Sequence, residues 1–197
     1  HDFAVTAKYV VLLLPPMHGD AGGEPKSLVD RYRWHADRPL QVLVLDKDTL
    51  TIQRRHELPA RFLYHLSNAW EDASGTIRLD AFLSDDATFA VKTARDLSLG
   101  RANPDPTGRL TAITLAPGGG ATLDVLPGTG EFPRMHPRHV GSQHRYTYGV
   151  IANGIARWDL ANGKHETFSY GPDTWSEEPV FTPRHGAEVA AEVRICD

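Results

Sequence analysis

Cysteine is nearly absent from this sequence: with Cys196 alone, no disulfide can form within the chain and no thiolate zinc site can be built. Such usage fits a reducing compartment, with the cytoplasm favoured. No apolar run approaches the roughly 20 residues that cross a bilayer. The longest, Tyr9 to Pro16, is strand-sized and stops at a proline pair. Positive charge is not in excess either, and a net charge of -4 leaves no basic footprint for nucleic acid. An opening methionine is missing. HDFAVTAKYVVLLLPP begins at His1 inside a strand-like pattern, unlike a start codon, a signal peptide or a transit peptide, so an upstream segment is expected to be absent. There is no GxSxG elbow, no GxGxxG and no phosphate loop with its lysine. His165-Glu166 opens no HExxH, because position 169 is serine. What remains is a globular composition, 41% hydrophobic and 23% charged, long enough for one ordinary domain.

Glycine (17) and proline (14) are abundant and fall between short alternating segments, a pattern of many strands and many turns. Three hairpins are predicted. The first joins residues 41–46 and 50–58 around Asp46-Lys47-Asp48. The second joins 110–115 and 122–126 around Pro117-Gly118-Gly119-Gly120. The third joins 155–160 and 164–170 around Ala161-Asn162-Gly163, where Asn-Gly supplies the positive φ that tight hairpins need. Further strands are predicted over 8–14, 61–66, 77–82, 144–151 and 179–182, with a short helix or turn within 85–97. Hairpins without sustained helical periodicity leave a sandwich, a barrel or a propeller, and their irregular spacing argues against a strict WD40 or kelch array.

Ten histidines raise the question of which bind metal. His65 lies in FLYHLSNAWED, three residues before Asn68, and reads either as a buried, hydrogen-bonded core histidine or as a ligand. His1 precedes a similar strand and reads either as a terminus or as a ligand. Imidazole suits iron, zinc, copper and nickel alike. Glu131, after Pro127-Gly128-Thr129-Gly130, and Glu178, in SEEPVF, each abut an apolar or proline-flanked stretch. Each reads as a solvated turn residue, or as an acceptor that holds a ligand histidine by its other ring N–H. His136, His139 and His144 form a competing cluster. Pro137 and Pro133 make a regular helix improbable there, and in an extended segment His136 and His139 would point to opposite faces.

Taken together, four segments resemble the carotenoid cleavage oxygenase family of apocarotenoid oxygenases, lignostilbene dioxygenases and the retinal-pigment isomerase. They are HDFAVTAKYVVLLLPP, LPARFLYHLSNAWED, TGEFPRMHPRHVG and SEEPVFTPR, in the family's order from His1 to Arg184. The resemblance implies an all-β fold, part of a seven-bladed propeller with about three blades present. It also implies ferrous iron (Fe2+) held by four histidines with three glutamates behind them. By matching positions His1 and His65 are two of the metal ligands, and Glu131 and Glu178 are two of the outer carboxylates. The remaining two histidines and one glutamate have no counterpart in the chain. The implied reaction is cleavage of a carbon–carbon double bond of a carotenoid, apocarotenoid or stilbene by O2 to two carbonyl products. An apolar polyene or stilbene would lie in a tunnel to which Phe3, Phe62, Trp70 and Phe132 are candidates. Its apolarity implies peripheral membrane contact for uptake.

The expected organisation is a partial propeller domain over 1–184 and a divergent tail over 185–197, in which His185 and Cys196 receive no role. With two of four imidazoles, residues 1–197 alone are expected to hold iron weakly and to cleave no alkene. Two other classes fit the same residues. One is a metal-free propeller-like binding module, separated by metal analysis. The other is an iron-dependent isomerase of the same family, separated by product analysis with a polyene ester.

Overall fold

A computed structural model describes residues 2–19, 31–101 and 108–182. The fold is mostly β. Among the described residues, β1 (Ala4–Val5), β2 (Tyr9–Leu14), β5 (Leu40–Asp46) and β6 (Ile52–Leu58) form one antiparallel sheet in that order. A two-stranded ribbon, β3 (Met17–Gly19) with β4 (Tyr32–Trp34), interrupts it. The second sheet runs β7 (Leu66–Glu71), β8 (Ile77–Leu83), β9 (Arg109–Leu115) and β10 (Ala121–Val125). The third runs β11 (Glu131–Arg134), β12 (Tyr146–Ile151), β13 (Gly154–Asp159) and β14 (Lys164–Ser169). The first strands of the three sheets come together, β1 against β7 and β7 against β11.

Period-two alternation sets the sheet faces. On β5, Leu40, Val42 and Val44 are buried while Gln41 is exposed. They meet Ile77, Leu79, Ala81, Ile113 and Leu115 of the second sheet in one core. Each such side chain contributes about 1.5–3 kcal/mol by leaving water. β8 is buried on both faces, because Phe82 points the other way into a second core with Leu110, Ala156 and Trp158. The middle sheet is thereby held between the other two.

Three hairpin turns share one device. Asp46, Asp72 and Asp159 each begin a turn and accept hydrogen bonds from its backbone or side chains. The same turns close on residues with positive φ: Leu50 (57°), Gly75 (80°) and Gly163 (71°). The Asn-Gly turn therefore uses a positive φ at Gly163 but not at Asn162, whose amide instead bonds Asp159. The three predicted hairpins form at nearly the expected bounds, and 85–97 holds a π-helical turn (Phe89–Thr93) leading into α1 (Ala94–Ser98).

Two predicted strands are corrected. Residues 61–66 make only an isolated bridge, Phe62 to Ser84, and the strand starts at Leu66. Residues 179–182 form no strand. Between the Phe62 bridge and Leu66 the chain leaves the edge of β8, so its propensity alone does not make it a strand.

Candidate active site

The bridge at Phe62 is closed by two backbone hydrogen bonds with Ser84, of 2.9 and 2.8 Å, and carries the chain into β7. His65 stands in this lead-in segment rather than at the end of a strand. Its Nδ1 lies 2.8 Å from Oε2 of Glu131, the first residue of β11. Close packing brings β11 there. A Cβ on Gly130 would fall 2.8 Å from Phe82 Cζ, and one on Gly149 of the adjoining β12 would fall 2.7 Å from the same atom. The missing side chains thus let two strands lie directly on the Phe82 ring. The β11–β12 register is irregular between Glu131 and Arg134, where Phe132 adopts a φ of 52°. The backbone N–H of Phe132 donates to the same Glu131 Oε2.

A carboxylate oxygen only accepts, so the His65 proton belongs on Nδ1 and the ring's lone pair on Nε2. That is the tautomer of a metal-ligating histidine whose second nitrogen is held by an outer carboxylate. His65 and Glu131 line a cavity of about 290 Å³. Its walls are chiefly apolar, with Phe62, Tyr64, Phe89, Phe132, Val150 and Trp175 prominent. Phe62 and Phe89 meet the Tyr64 ring edge-on at 4.9 and 5.9 Å, and Phe132 lies 4.9 Å from the His65 ring. Burial, and secondarily the charge of Glu131, pushes the Tyr64 phenol above its ordinary range, so it stays protonated at neutral pH.

The other candidates fall elsewhere. His1 lies outside the described residues, as do His185 and Cys196. Glu178 is exposed and forms an ion pair with Arg134 of β11. Of the tunnel candidates, Phe62 and Phe132 line the cavity. Phe3 is instead exposed, and Trp70 borders a separate, wetter depression with Arg78 over its ring. Sequence reasoning missed Tyr64, Phe89 and Trp175; an aromatic directly before a candidate ligand was the one available signal.

The three clustered histidines border one depression without forming a metal site. Among the described residues no group of three His, Cys, Asp or Glu side chains is arranged to hold a metal. His136 caps and His139 ends a 3-10 turn (Pro137–His139), with their rings 5.5 Å apart, and burial lowers the His136 pKa. His144 is buried in a polar network instead. Its Nε2 lies 3.2 Å from Asp80 Oδ1 and 3.1 Å from Thr147 Oγ1, and Thr147 donates to Asp80 Oδ2 at 2.7 Å. Asn68 donates to the carbonyls of His139 and Ser142, each at 2.9 Å, and accepts from the Gly141 N–H at 3.0 Å. The loop preceding β12 is thus tied to β7, three residues beyond His65.

Comparison with known proteins shows the family of the chain. The Retinal pigment epithelial membrane protein family matches residues 1–192. The apocarotenoid-15,15'-oxygenase of Synechocystis sp. is 31% identical over 94% of this chain and 40% of its own length. Resveratrol cleavage oxygenase 1 of Aspergillus fumigatus is 27% identical over 93% of this chain and 42% of its own. A crystal structure of cobalt-substituted Synechocystis ACO superposes with a TM-score of 0.76 at 26% identity, covering 95% of this chain and 42% of that one. The chain spans about 40% of the length of the curated relatives it matches. With the fold, the ordered segments and the family match in agreement, the chain belongs to the family of the retinal pigment epithelial membrane protein and the carotenoid cleavage oxygenases.

Proposed function

We propose that this chain is part of a non-haem Fe(II) dioxygenase that cleaves a carbon–carbon double bond of an apolar polyene or a stilbene. The observation that carries the reading is the His65–Glu131 contact at the wall of an aromatic cavity. In this reading His65 and His1 are two imidazole ligands of the iron, Glu131 orients the His65 ring, and Glu178 is a second outer carboxylate. The three four-stranded sheets are about three blades of a seven-bladed propeller. The relatives' names supply the substrate classes, apocarotenoids, carotenoids and resveratrol. The cobalt-substituted relative supports a metal site in the family.

When bound, ferrous iron supplies dioxygen activation. The chain's own residues do the rest. Glu131 keeps the proton on Nδ1, so the nitrogen offered to a metal carries a lone pair. Phe62, Phe89 and Phe132 exclude water and give an apolar chain a surface to lie along. Tyr64, held protonated, offers a hydroxyl rather than a second anion beside Glu131. Uptake of so apolar a substrate by peripheral membrane contact is part of the same proposal.

The test uses the complete protein containing these residues. Iron is quantified, and products from an apocarotenoid and from resveratrol are separated under 18O2. Stoichiometric iron and two labelled carbonyl fragments from either substrate are expected, and His65→Ala abolishes both. An iron-free protein that binds polyenes unchanged would make it a binding module. Double-bond isomerisation without oxygen incorporation would make it an isomerase.

A further inference from the structure

β1 and β7 belong to different sheets, so no backbone ladder joins them. Two side chains bridge the gap. At one end, Asp2 Oδ2 accepts the backbone N–H of Leu66 at 2.8 Å, while Oδ1 accepts that of Phe3 at 2.9 Å. At the other end, Lys8 Nζ lies 3.1 Å from Glu71 Oε1.

The two bridges differ in what they hold. Asp2 directly follows His1 in sequence, and Leu66 directly follows His65. The Asp2 bond therefore joins the two segments one residue from each proposed ligand. The Lys8–Glu71 pair acts several residues further along both strands. A merely local turn role for Asp2 would need only Oδ1 on the Phe3 N–H. The bond from Oδ2 reaches across 64 residues of sequence to a backbone donor that belongs to another sheet.

We infer that Asp2 is a positioning residue: its carboxylate ties the segment that follows His1 in sequence to the Leu66 N–H, next to His65, before any metal binds. This rests on the reading of both histidines as iron ligands. Ligands from segments distant in sequence must otherwise be brought to one geometry by the metal itself, which weakens binding and loosens the site. A charged acceptor on a backbone N–H is among the stronger and shorter hydrogen bonds, suited to holding such a spacing.

The experiment titrates ferrous iron into the complete apoprotein and records the EPR signal of its nitric oxide adduct. Asp2→Ala is expected to raise the iron dissociation constant about tenfold, the lower end for outer-shell partners, and to broaden the signal. Asp2→Asn keeps an acceptor oxygen for Leu66 without the charge and is expected to recover part of the affinity. Lys8→Ala cuts the far bridge and should lower thermal stability at most, leaving iron affinity unchanged. Asp2→Ala with wild-type affinity and signal overturns the inference alone. So does Lys8→Ala weakening iron as much, since the effect would then belong to sheet packing. A wild-type protein without affinity for iron overturns the proposed function as well. Should Asp2→Ala fail to fold, hydrogen exchange of the wild-type apoprotein decides: the Leu66 amide is expected to be protected without iron, and rapid exchange there overturns the inference.

Discussion

Nδ1 of His65 lies 2.8 Å from Oε2 of Glu131, although 66 residues separate them in the chain. The same oxygen accepts the N–H of Phe132, the residue held at a φ of 52°. Left-handed backbone costs a non-glycine residue about 1–2 kcal/mol, so the carboxylate both orients the imidazole and helps hold a strained bulge. Replacing Glu131 with glutamine removes the charge and leaves one acceptor oxygen for two donors. In the complete protein Glu131→Gln is expected to lower iron affinity about 10 to 100-fold, read by metal titration. Unchanged affinity would remove Glu131 from the site.

His144 and Asp80 are both buried, and Thr147 closes the triangle. Truncating one partner strands the others away from water. His144→Ala is expected to cost on the order of 3 kcal/mol, measured as a lower urea midpoint. A variant of wild-type stability would mean that the loop before β12 is held by other contacts.

Leu50 is 62% exposed and sits at a φ of 57° at the close of the β5–β6 turn. Glycine adopts that conformation without steric cost, and the lost side chain buries little. Leu50→Gly should therefore raise stability by about 1 kcal/mol, by relief of left-handed strain net of the entropy of a freer unfolded chain. Thermal unfolding checks the sign, which an Ala substitution should not reproduce.

Three turn aspartates set the acid dependence. The Thr49 backbone N–H holds Asp46 below the usual carboxylate range, the Ser74 hydroxyl does so for Asp72, and Arg145 for Asp159. Each binds protons less readily folded than unfolded. Their contribution is therefore present above the unfolded value of about 3.9 and is lost as pH falls through the folded values. Urea midpoints should decline gently between neutrality and about pH 5, where His136 takes up a proton less readily folded than unfolded, and fall more steeply below about pH 4. Asp159→Asn should flatten that fall, and an unaltered acid limb would show that other carboxylates govern it.

How far the sequence could be read depended on the range of the interaction involved. The hairpins at 40–58, 109–125 and 154–169 were legible because turn chemistry and period-two alternation act between near neighbours. The same reasoning misread 61–66, since an apolar run is a strand only where it stays paired, and this one leaves the β8 edge between Phe62 and Leu66. Among ten histidines, resemblance singled out His1 and His65; the contact of His65 with Glu131 and the burial of His144 beside Asp80 are both long-range and were not legible.

By itself, then, the sequence determined the three hairpins and their turns, because these follow from local dihedral preferences and the alternation of apolar side chains. Only the tertiary structure decided that β7 and β11 lie side by side, that Glu131 meets His65 and that Asp2 reaches Leu66. Those contacts arise from whole sheets packing over the Phe82 and Val42 cores, and no local window of residues contains that geometry.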